Sequence, residues 1–359
     1  MEKSNESILN ATSAFQKAKK PILAIGLSAL RSQTRELIIQ FAEKFNLPVV
    51  LTPMAKGMFP ETHPLYAGVL FHALSNFVAR TYREADLVIG IGYDPVEFNY
   101  EDWMPHVPLI NFASQPADIN REEYPDIIDV TVELIELLEE FLNLQTESKK
   151  WNLDLLSDRK KELFQKFIPA NGSFGPLTVV AELRNALPED GILTVDVGAH
   201  LHLIGQMWRT PSPEKLLMTN GWSSMGFAIP AALSAKLSNP DLPVASIMGD
   251  GGFLMTVGEL ATAKRLNLKI IFIVIYDNSL SLIRIKQGKR NYDNHYGTDL
   301  SELAVEPTNH YFGVPVIRAT NRTDYQNALE QAFSSDGSTV IEVVVDGREY
   351  DDLVLKPNK

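Results

Sequence analysis

The chain contains no cysteine. That excludes disulfides, a thiolate nucleophile and any Cys-ligated metal. It is also short of positive charge: 33 Lys and Arg stand against 45 Asp and Glu, for a formal net charge of -12. An acidic balance argues against a nucleic-acid partner or an anionic membrane surface, both of which call for basic patches. No apolar run is long enough to span a bilayer. The opening residues, MEKSNESILNATSAF, lack the apolar core of a signal peptide. A cytoplasmic protein with neither nucleic-acid nor membrane partner is the expectation.

What is present is apolar substance in an ordered rhythm. Of 359 residues, 45% are hydrophobic, enough for two compact domains. PILAIGL (21–27), PVVLT (48–52), ADLVIGIG (85–92) and VPLINF (107–112) are apolar throughout instead of alternating. This suits parallel strands buried on both faces. Between them, TRELIIQFAEKFN (34–46) has apolar residues at helical spacing, and VELIELLEEFLNL (132–144) reads as a helix closing the region. A charge run followed by PANGSFGP (169–176) reads as a linker. The rhythm then restarts with the helix LTVVAELRNALPEDG (177–191) and strands at ILTVDVG, LPVASIMGD, LKIIFIVIYD, VPVIRA and TVIEVVVD. The expected fold is α/β, two doubly wound domains with mainly parallel sheets. Their bounds are 1–150 and 176–359, with a linker over 151–175.

Chemistry concentrates in IMGDGGFLMTVGELATAKRLNLKIIFIVIYDNSLSLI (247–283). Asp250 ends one apolar strand, a helix-like stretch LMTVGELATAKRLN follows, and Asn278 ends the next strand. In such a βαβ unit both polar residues emerge at the carboxyl edge, where open α/β sheets bind ligands. Gly251 and Gly252 leave backbone N–H groups free near a helix N-terminus to face an anion. A carboxylate, an amide oxygen and free N–H groups describe a site for Mg²⁺ with a phosphate ester. An Asp-capped strand-to-helix turn explains the Gly-Asp-Gly-Gly alone, but not Asn278 at the next strand end.

With these residues in view, the stretch resembles the thiamine-diphosphate motif of the acetolactate synthase, pyruvate oxidase and benzaldehyde lyase superfamily, closest to acetolactate synthase large subunits. That motif begins Gly-Asp-Gly and ends in Asn somewhat under thirty residues later. The resemblance implies that Asp250 and Asn278 give side-chain oxygens, and Leu280 a backbone carbonyl, to Mg²⁺. Gly249, Gly251, Gly252 and Ser279 then lie along the cofactor. TVDVGAHLHL (194–203) resembles the first diphosphate loop, Asp/Gly-x-Gly-Gln-His. Gly198 and His200 fit, and Ala199 replaces the frequent Gln. His200 by itself also fits a packing role. NGWSSMGFAIPAALSAKL (220–237) resembles Gly-x-x-x-Met-Gly-x-x-x-Pro-Ala-Ala. Met225 is thereby the residue that props the cofactor in its bent form, and the Ser223 carbonyl accepts from its aminopyrimidine. Met225 read alone is core, and Trp222 fits the cofactor ring or plain packing.

The first region shares the resemblance. PVVLTPMAKGMFPETHPLYAGVL (48–70) and ADLVIGIGYDPVEF (85–98) match the central domain. The form from Tyr93 to Phe98 is closer to FAD-free members, so FAD is not expected. The resemblance implies thiamine diphosphate and Mg²⁺ as cofactors and a 2-keto acid as substrate, with decarboxylation and carboligation as the reaction. A 2-keto acid decarboxylase or a benzaldehyde lyase-like carboligase is the alternative. A catalytically silent cofactor-binding or assembly module is a third reading. SLSLIRIKQGKRNYDNHYG (279–297) departs from the acetolactate synthase form, which leaves the substrate open. Arg284, Lys286 and Gln287 fit either a carboxylate partner or a solvated helix. The N-terminal pyrimidine-binding domain of the family has no counterpart in these residues. No catalytic residue is therefore assigned: the relay Glu belongs to that domain, and Glu2 and Glu6 lie in a tail. A truncated product and a split subunit are both compatible. A homo-oligomer, or a partner chain or domain carrying the pyrimidine-binding fold, is the expected assembly, and the chain by itself is expected to be inactive.

Overall fold

The computed structural model describes residues 2–70, 72–93, 107–117, 120–122, 126–219, 222–292, 294–301 and 308–354. The stretch from position 94 to 98, part of the FAD-free resemblance, lies outside them, as does Asn220. The chain falls into two compact units, Met1–Gln165 with Ser212–Glu214, and Lys166–Pro211 with Lys215–Lys359. Both are α/β, the first built on a wholly parallel sheet and the second on a mostly parallel one.

The first unit runs α1 (Glu2–Lys17), β1 (Pro21–Ile25), α2 (Arg35–Phe45), β2 (Val49–Leu51), β3 (Tyr66–Val69), α3 (Ser75–Tyr82), β4 (Leu87–Ile91), β5 (Leu109–Phe112), β6 (Ile127–Val130), α4 (Leu134–Leu142) and α5 (Leu153–Gln165). Its strand order is 3-2-1-4-5-6, every pairing parallel. This is the doubly wound order. The strands that form within the continuous apolar runs, β1, β2, β4 and β5, are buried from end to end. Helices supply Phe15, Phe41, Phe45 and Phe141, which pack on one another at ring separations of 5.1–6.1 Å, and Phe141 meets Phe112 of β5 at 4.9 Å. The stretch 151–175, read as a linker, contains α5. This helix packs against α3 and β3, and Arg159 donates to Thr81 Oγ1 at 3.1 Å and pairs with Glu84.

The second unit runs α6 (Pro176–Ala186), β7 (Ile192–Val195), α7 (Ala199–Met207), β8 (Leu216–Leu217), α8 (Ala228–Ser238), β9 (Val244–Gly249), α9 (Asp250–Thr256), α10 (Leu260–Arg265), β10 (Ile271–Tyr276), α11 (Ser281–Lys289), β11 (His310–Tyr311), β12 (Val314–Ala319), α12 (Arg322–Ser334) and β13 (Thr339–Val344). The strand order is 11-12-13-10-9-7-8. Only β11 runs antiparallel, to β12. The helix read over 254–267 starts earlier, at Asp250, and is broken by a 3-10 turn at Val257–Glu259. Gly258 lies in that turn, and glycine is a poor helix former.

What positions the site is the strand order. From β7 the chain adds β8 on one side, then crosses back to add β9 on the other. The direction of winding therefore reverses between β7 and β9. Ligands of open α/β sheets bind outside the carboxyl ends of strands at such a reversal. Because β7, β9 and β10 are neighbouring parallel strands, Asp196, Asp250 and Asp277, which directly follow them, share one edge.

Candidate cofactor site

A pocket opens at this edge, with an empty volume of about 530 Å³. Gly198, Ala199 and His200 line it from the turn after β7. Met225 comes from the turn before α8, Gly249 to Gly252 from the β9–α9 junction, and Ser279 and Leu280 from the turn after β10. Residues from four separated stretches of sequence thus meet in one cavity. Ser223 and Asn278 are not among its lining residues. Ser223 has φ 50°, a left-handed backbone two residues before Met225, and such a conformation in a residue other than Gly or Asn marks local strain. Asn278 is also left-handed, at φ 53°, which Asn tolerates better than most residues. Its side chain is exposed beside the pocket.

Asp250 is the buried acid of the site, 3% exposed. Its Oδ1 accepts from the Gly251 N–H at 2.7 Å, and the nearby backbone of Asn278 and Asp277 favours its charged form. Oδ2 has no hydrogen-bond partner. Burial, and then the neighbouring Asp277 charge, push the Asp250 carboxyl up to about 7. A buried acid with one unsatisfied oxygen beside a second acid is a place where a cation would restore the balance. Among the described residues no three His, Cys, Asp or Glu gather as a metal cluster. A hard cation here would therefore have to take amide, carbonyl or ligand oxygens beside Asp250, the usual arrangement for Mg²⁺ shared with a phosphate.

His200 is the second unsatisfied group. It is 3% exposed, and its Nε2 has no partner. Burial drives the imidazole down to about 4, against the pull of a hydrogen bond to the Asp196 backbone. The ring is therefore neutral at pH 7. The space between these groups is kept by glycines. A Cβ on Gly251 would sit 2.7 Å from Leu280 Cδ2 and 3.1 Å from Met225 Cε. One on Gly198 would sit 2.6 Å from His200 Cε1. The cradle has the shape and donors for a diphosphate at a helix start, and the acid for its metal.

Leu280 lines the pocket, but its carbonyl already accepts from the N–H groups of Ile283 at 2.9 Å and Arg284 at 3.0 Å. A cation at this oxygen would compete with both. Of the charged residues on α11, Arg284 is held by Asp351, at 2.6 and 3.2 Å. Gln287 is taken up by the Tyr296 backbone, donating to its carbonyl at 3.0 Å and accepting from its N–H at 2.9 Å. Lys286 is exposed. Trp222 is fully exposed.

Several contributors were not read from sequence. Asp277 lines the pocket; its carboxylate accepts from Ser281 Oγ at 2.5 Å and Ser279 N–H at 3.2 Å. Its signal was its place directly before Asn278. Tyr350 closes the pocket from a 3-10 turn, Gly347–Tyr350, and nothing in the local sequence marks it. Asp196 is fully buried behind the cradle. Burial raises its pKa, opposed by N–H groups from Val197, Gly226 and Phe227.

A doubly wound domain with a cradle for a diphosphate and a hard cation at its switch point defines a class of cofactor-binding enzyme domain. Comparison with known families makes that class specific. Residues 196–343 match the thiamine pyrophosphate enzyme C-terminal TPP binding domain, and residues 8–141 match the thiamine pyrophosphate enzyme central domain. The chain belongs to the thiamine pyrophosphate enzymes, of which it carries these two domains.

Among curated relatives, acetolactate synthase of Bacillus subtilis is 28% identical, over 95% of this chain and 61% of its own length. Acetolactate synthase isozyme 1 large subunit of Escherichia coli is 28% identical, over 96% of this chain and 62% of its own length. The probable acetolactate synthase large subunit of Methanocaldococcus jannaschii is 27% identical, over 95% and 60%. The chain thus spans about three fifths of the length of these relatives. Among the described residues no helix is long and apolar enough to cross a membrane.

Proposed function

We propose that the second unit holds thiamine diphosphate and Mg²⁺ within an acetolactate synthase-like enzyme that acts on 2-keto acids by decarboxylation and carboligation. The observation that carries this reading is the pairing of two buried, unpartnered atoms, Asp250 Oδ2 and His200 Nε2, in one glycine-walled pocket at the carboxyl ends of β7, β9 and β10.

In this reading Asp250 and the Asn278 side chain hold the cation, with the Leu280 carbonyl as third protein ligand. The Gly252 N–H and the turn from Gly198 to His200 face the diphosphate, while the Gly251 N–H, expected from sequence to be free, is held by Asp250 Oδ1. Gly249 and Ser279 border it, and Met225 supports the ring. When bound, the cofactor supplies the carbanion chemistry that breaks the bond next to a 2-keto group. The protein's part is to orient it and keep water out. Leu282 and Ile283 add apolar wall beside the cradle. A neutral His200, its one N–H given to the Asp196 backbone, presents Nε2 as an acceptor for a protonated phosphate oxygen or a water without adding charge.

The relatives' extra length leaves room for a domain that holds the cofactor's pyrimidine end. In this reading, such a domain, in the same chain or in a partner, completes the site in an oligomer, and the 359 residues alone turn over little pyruvate. A positioned proton-transfer group is typically worth about 10²–10⁴-fold in rate. The test has two parts. Calorimetry should detect thiamine diphosphate binding in the presence of Mg²⁺. Carbon dioxide release from pyruvate should rise when a pyrimidine-binding domain is supplied. Binding without any restored turnover on any 2-keto acid would favour a silent cofactor-binding module.

A further inference from the structure

We propose that Asp196 is the joint that sets three of the four walls of the cofactor cradle relative to one another, a positioning residue that acts on the cofactor without touching it. This inference rests on the cofactor site proposed above.

Asp196 follows β7, is 0% exposed and does not line the pocket. Its backbone N–H donates to the Ile247 carbonyl of β9 at 2.9 Å, which fixes its height at the strand edge. Its carboxylate then reaches three of the walls. Oδ1 accepts from the Val197 N–H at 2.7 Å, at the start of the turn that carries Gly198 and His200. Both oxygens accept from the Gly226 N–H, at 2.9 and 3.0 Å, and Oδ1 also from Phe227 at 3.3 Å. These two residues follow Met225 directly. Against Gly252, in the first turn of α9, Oδ2 lies so close that a Cβ would collide with it. One side chain thus touches the segments carrying His200, Met225 and Asp250. Gly226 has φ +86°, so its N–H is presented from a backbone that other residues adopt only under strain.

A carboxylate suits this place because it only accepts, and every polar neighbour named here donates. Asparagine has the same shape but puts an NH₂ where an acceptor is needed. Gly252 is small for the same reason: its missing side chain is the room that Asp196 occupies.

The test measures thiamine diphosphate affinity with Mg²⁺ by calorimetry on the full chain, well below the thermal transition. Asp196→Asn and Asp196→Ala should each weaken binding by about 10–100-fold, the usual effect of removing a group that orients ligating residues. Gly252→Ala should weaken it comparably. Combining Asp196→Ala with Gly252→Ala should cost little more than either alone, because the methyl then enters vacated space. Gly258→Ala, where an added Cβ meets nothing within 4 Å, should leave affinity unchanged. In hydrogen exchange, the Gly226 and Phe227 amides should lose protection in Asp196→Asn while β1, β4 and β5 keep theirs. A merely structural role would lower the melting temperature and leave the affinity of the folded fraction unmoved, so affinity within twofold of wild type in folded Asp196→Asn overturns the proposal. Asp250→Ala separates the two ideas. If it binds like wild type, or if wild type does not bind, the cofactor site itself is wrong and the role of Asp196 falls with it. If Asp250→Ala abolishes binding while Asp196→Asn does not weaken it, only the joint is wrong.

Discussion

Asp250 and Asp277 stand at the carboxyl ends of adjacent parallel strands, and the charge of Asp277 helps to raise the Asp250 pKa to about 7 from an ordinary 3.8. Each acid is also raised by its own burial. Two carboxylates at one sheet edge repel, and a divalent cation relieves them.

The first prediction is a pH dependence. Between about pH 4 and 7 the folded, cation-free protein keeps a proton on Asp250 that the unfolded chain has released. The folded state then binds more protons, so this group's contribution to stability falls as pH rises through that window and levels off above it. Asp277, also raised, acts in the same direction. The melting temperature of the cation-free protein should therefore fall from pH 5 to pH 7.5, and less so in Asp250→Asn. Binding of Mg²⁺ with thiamine diphosphate needs the carboxylate and so should release protons near pH 6.5. Calorimetry in two buffers of different ionisation enthalpy reads that release. Identical heats in both buffers at pH 6.5 would refute the assignment of Asp250.

A second prediction concerns the metal ligand itself. Asp250→Ala should abolish measurable cofactor affinity, because Mg²⁺ gives up water reluctantly and needs its charged ligand. Asp250→Asn keeps an oxygen but not the charge, and should bind weakly at best. Both proteins should remain folded by circular dichroism: Asp250→Ala loses only the Oδ1 bond from the Gly251 N–H, Oδ2 makes none, and the buried charge beside Asp277 is relieved. Wild-type affinity in Asp250→Ala would place the cation elsewhere.

The sequence made the fold legible because its central strands are buried on both faces. Pro21–Ile25, Leu87–Ile91 and Ile271–Tyr276 are unbroken apolar runs, and such runs have few alternatives. Weaker strands escaped notice. Ile127–Val130 is mostly half-buried, and Leu216–Leu217 is only two residues long. Helix α5 was hidden by its polar composition, LDLLSDRKKELFQ, which buries only Leu156 and Leu163. In the site, residues beside a glycine or a metal-type ligand could be read from short spacings. Asp196 stands at the first position of the Asp/Gly-x-Gly-Gln-His pattern, but its role, like that of Tyr350, was not legible, because it comes from contacts across 30 or more residues of chain, such as Asp196 with Gly226.

A third prediction tests the first unit. The Lys149 ammonium donates to the carbonyls of Phe15 at 2.7 Å, Ala18 at 2.9 Å and Gln16 at 3.4 Å, closing the C-terminus of α1. It also lies 4.5 Å from the Phe15 ring centre. Carbonyls at a helix end lack partners within the helix and favour a cation. Lys149→Met keeps the apolar stem and removes the donors, which should cost about 1–3 kcal/mol. Hydrogen exchange should show faster opening of α1, while cofactor affinity in the second unit stays the same. Unchanged exchange in α1 would show that water replaces the ammonium at no cost.

The last prediction sets stability against binding at one atom. Gly251 lies in the first turn of α9, where alanine is intrinsically favoured over glycine by about 1 kcal/mol. The added methyl would sit 2.7 Å from Leu280 Cδ2 and 3.1 Å from Met225 Cε. Both are ends of flexible side chains, so the folded protein can move them aside. They line the pocket, however, and the space they move into is the cradle. Gly251→Ala should therefore melt at the same temperature as wild type or slightly above it. Its affinity for thiamine diphosphate with Mg²⁺ should fall by roughly tenfold, the size of effect expected when a well-fitted wall shifts by a methyl group. A melting curve and a calorimetric titration on the same preparation read both quantities. If affinity holds while stability rises, the Gly251 face of the pocket does not meet the cofactor, and the diphosphate must lie nearer Gly198 and His200. If both fall together, Leu280 and Met225 cannot yield, and the glycine is needed for packing and not for the ligand.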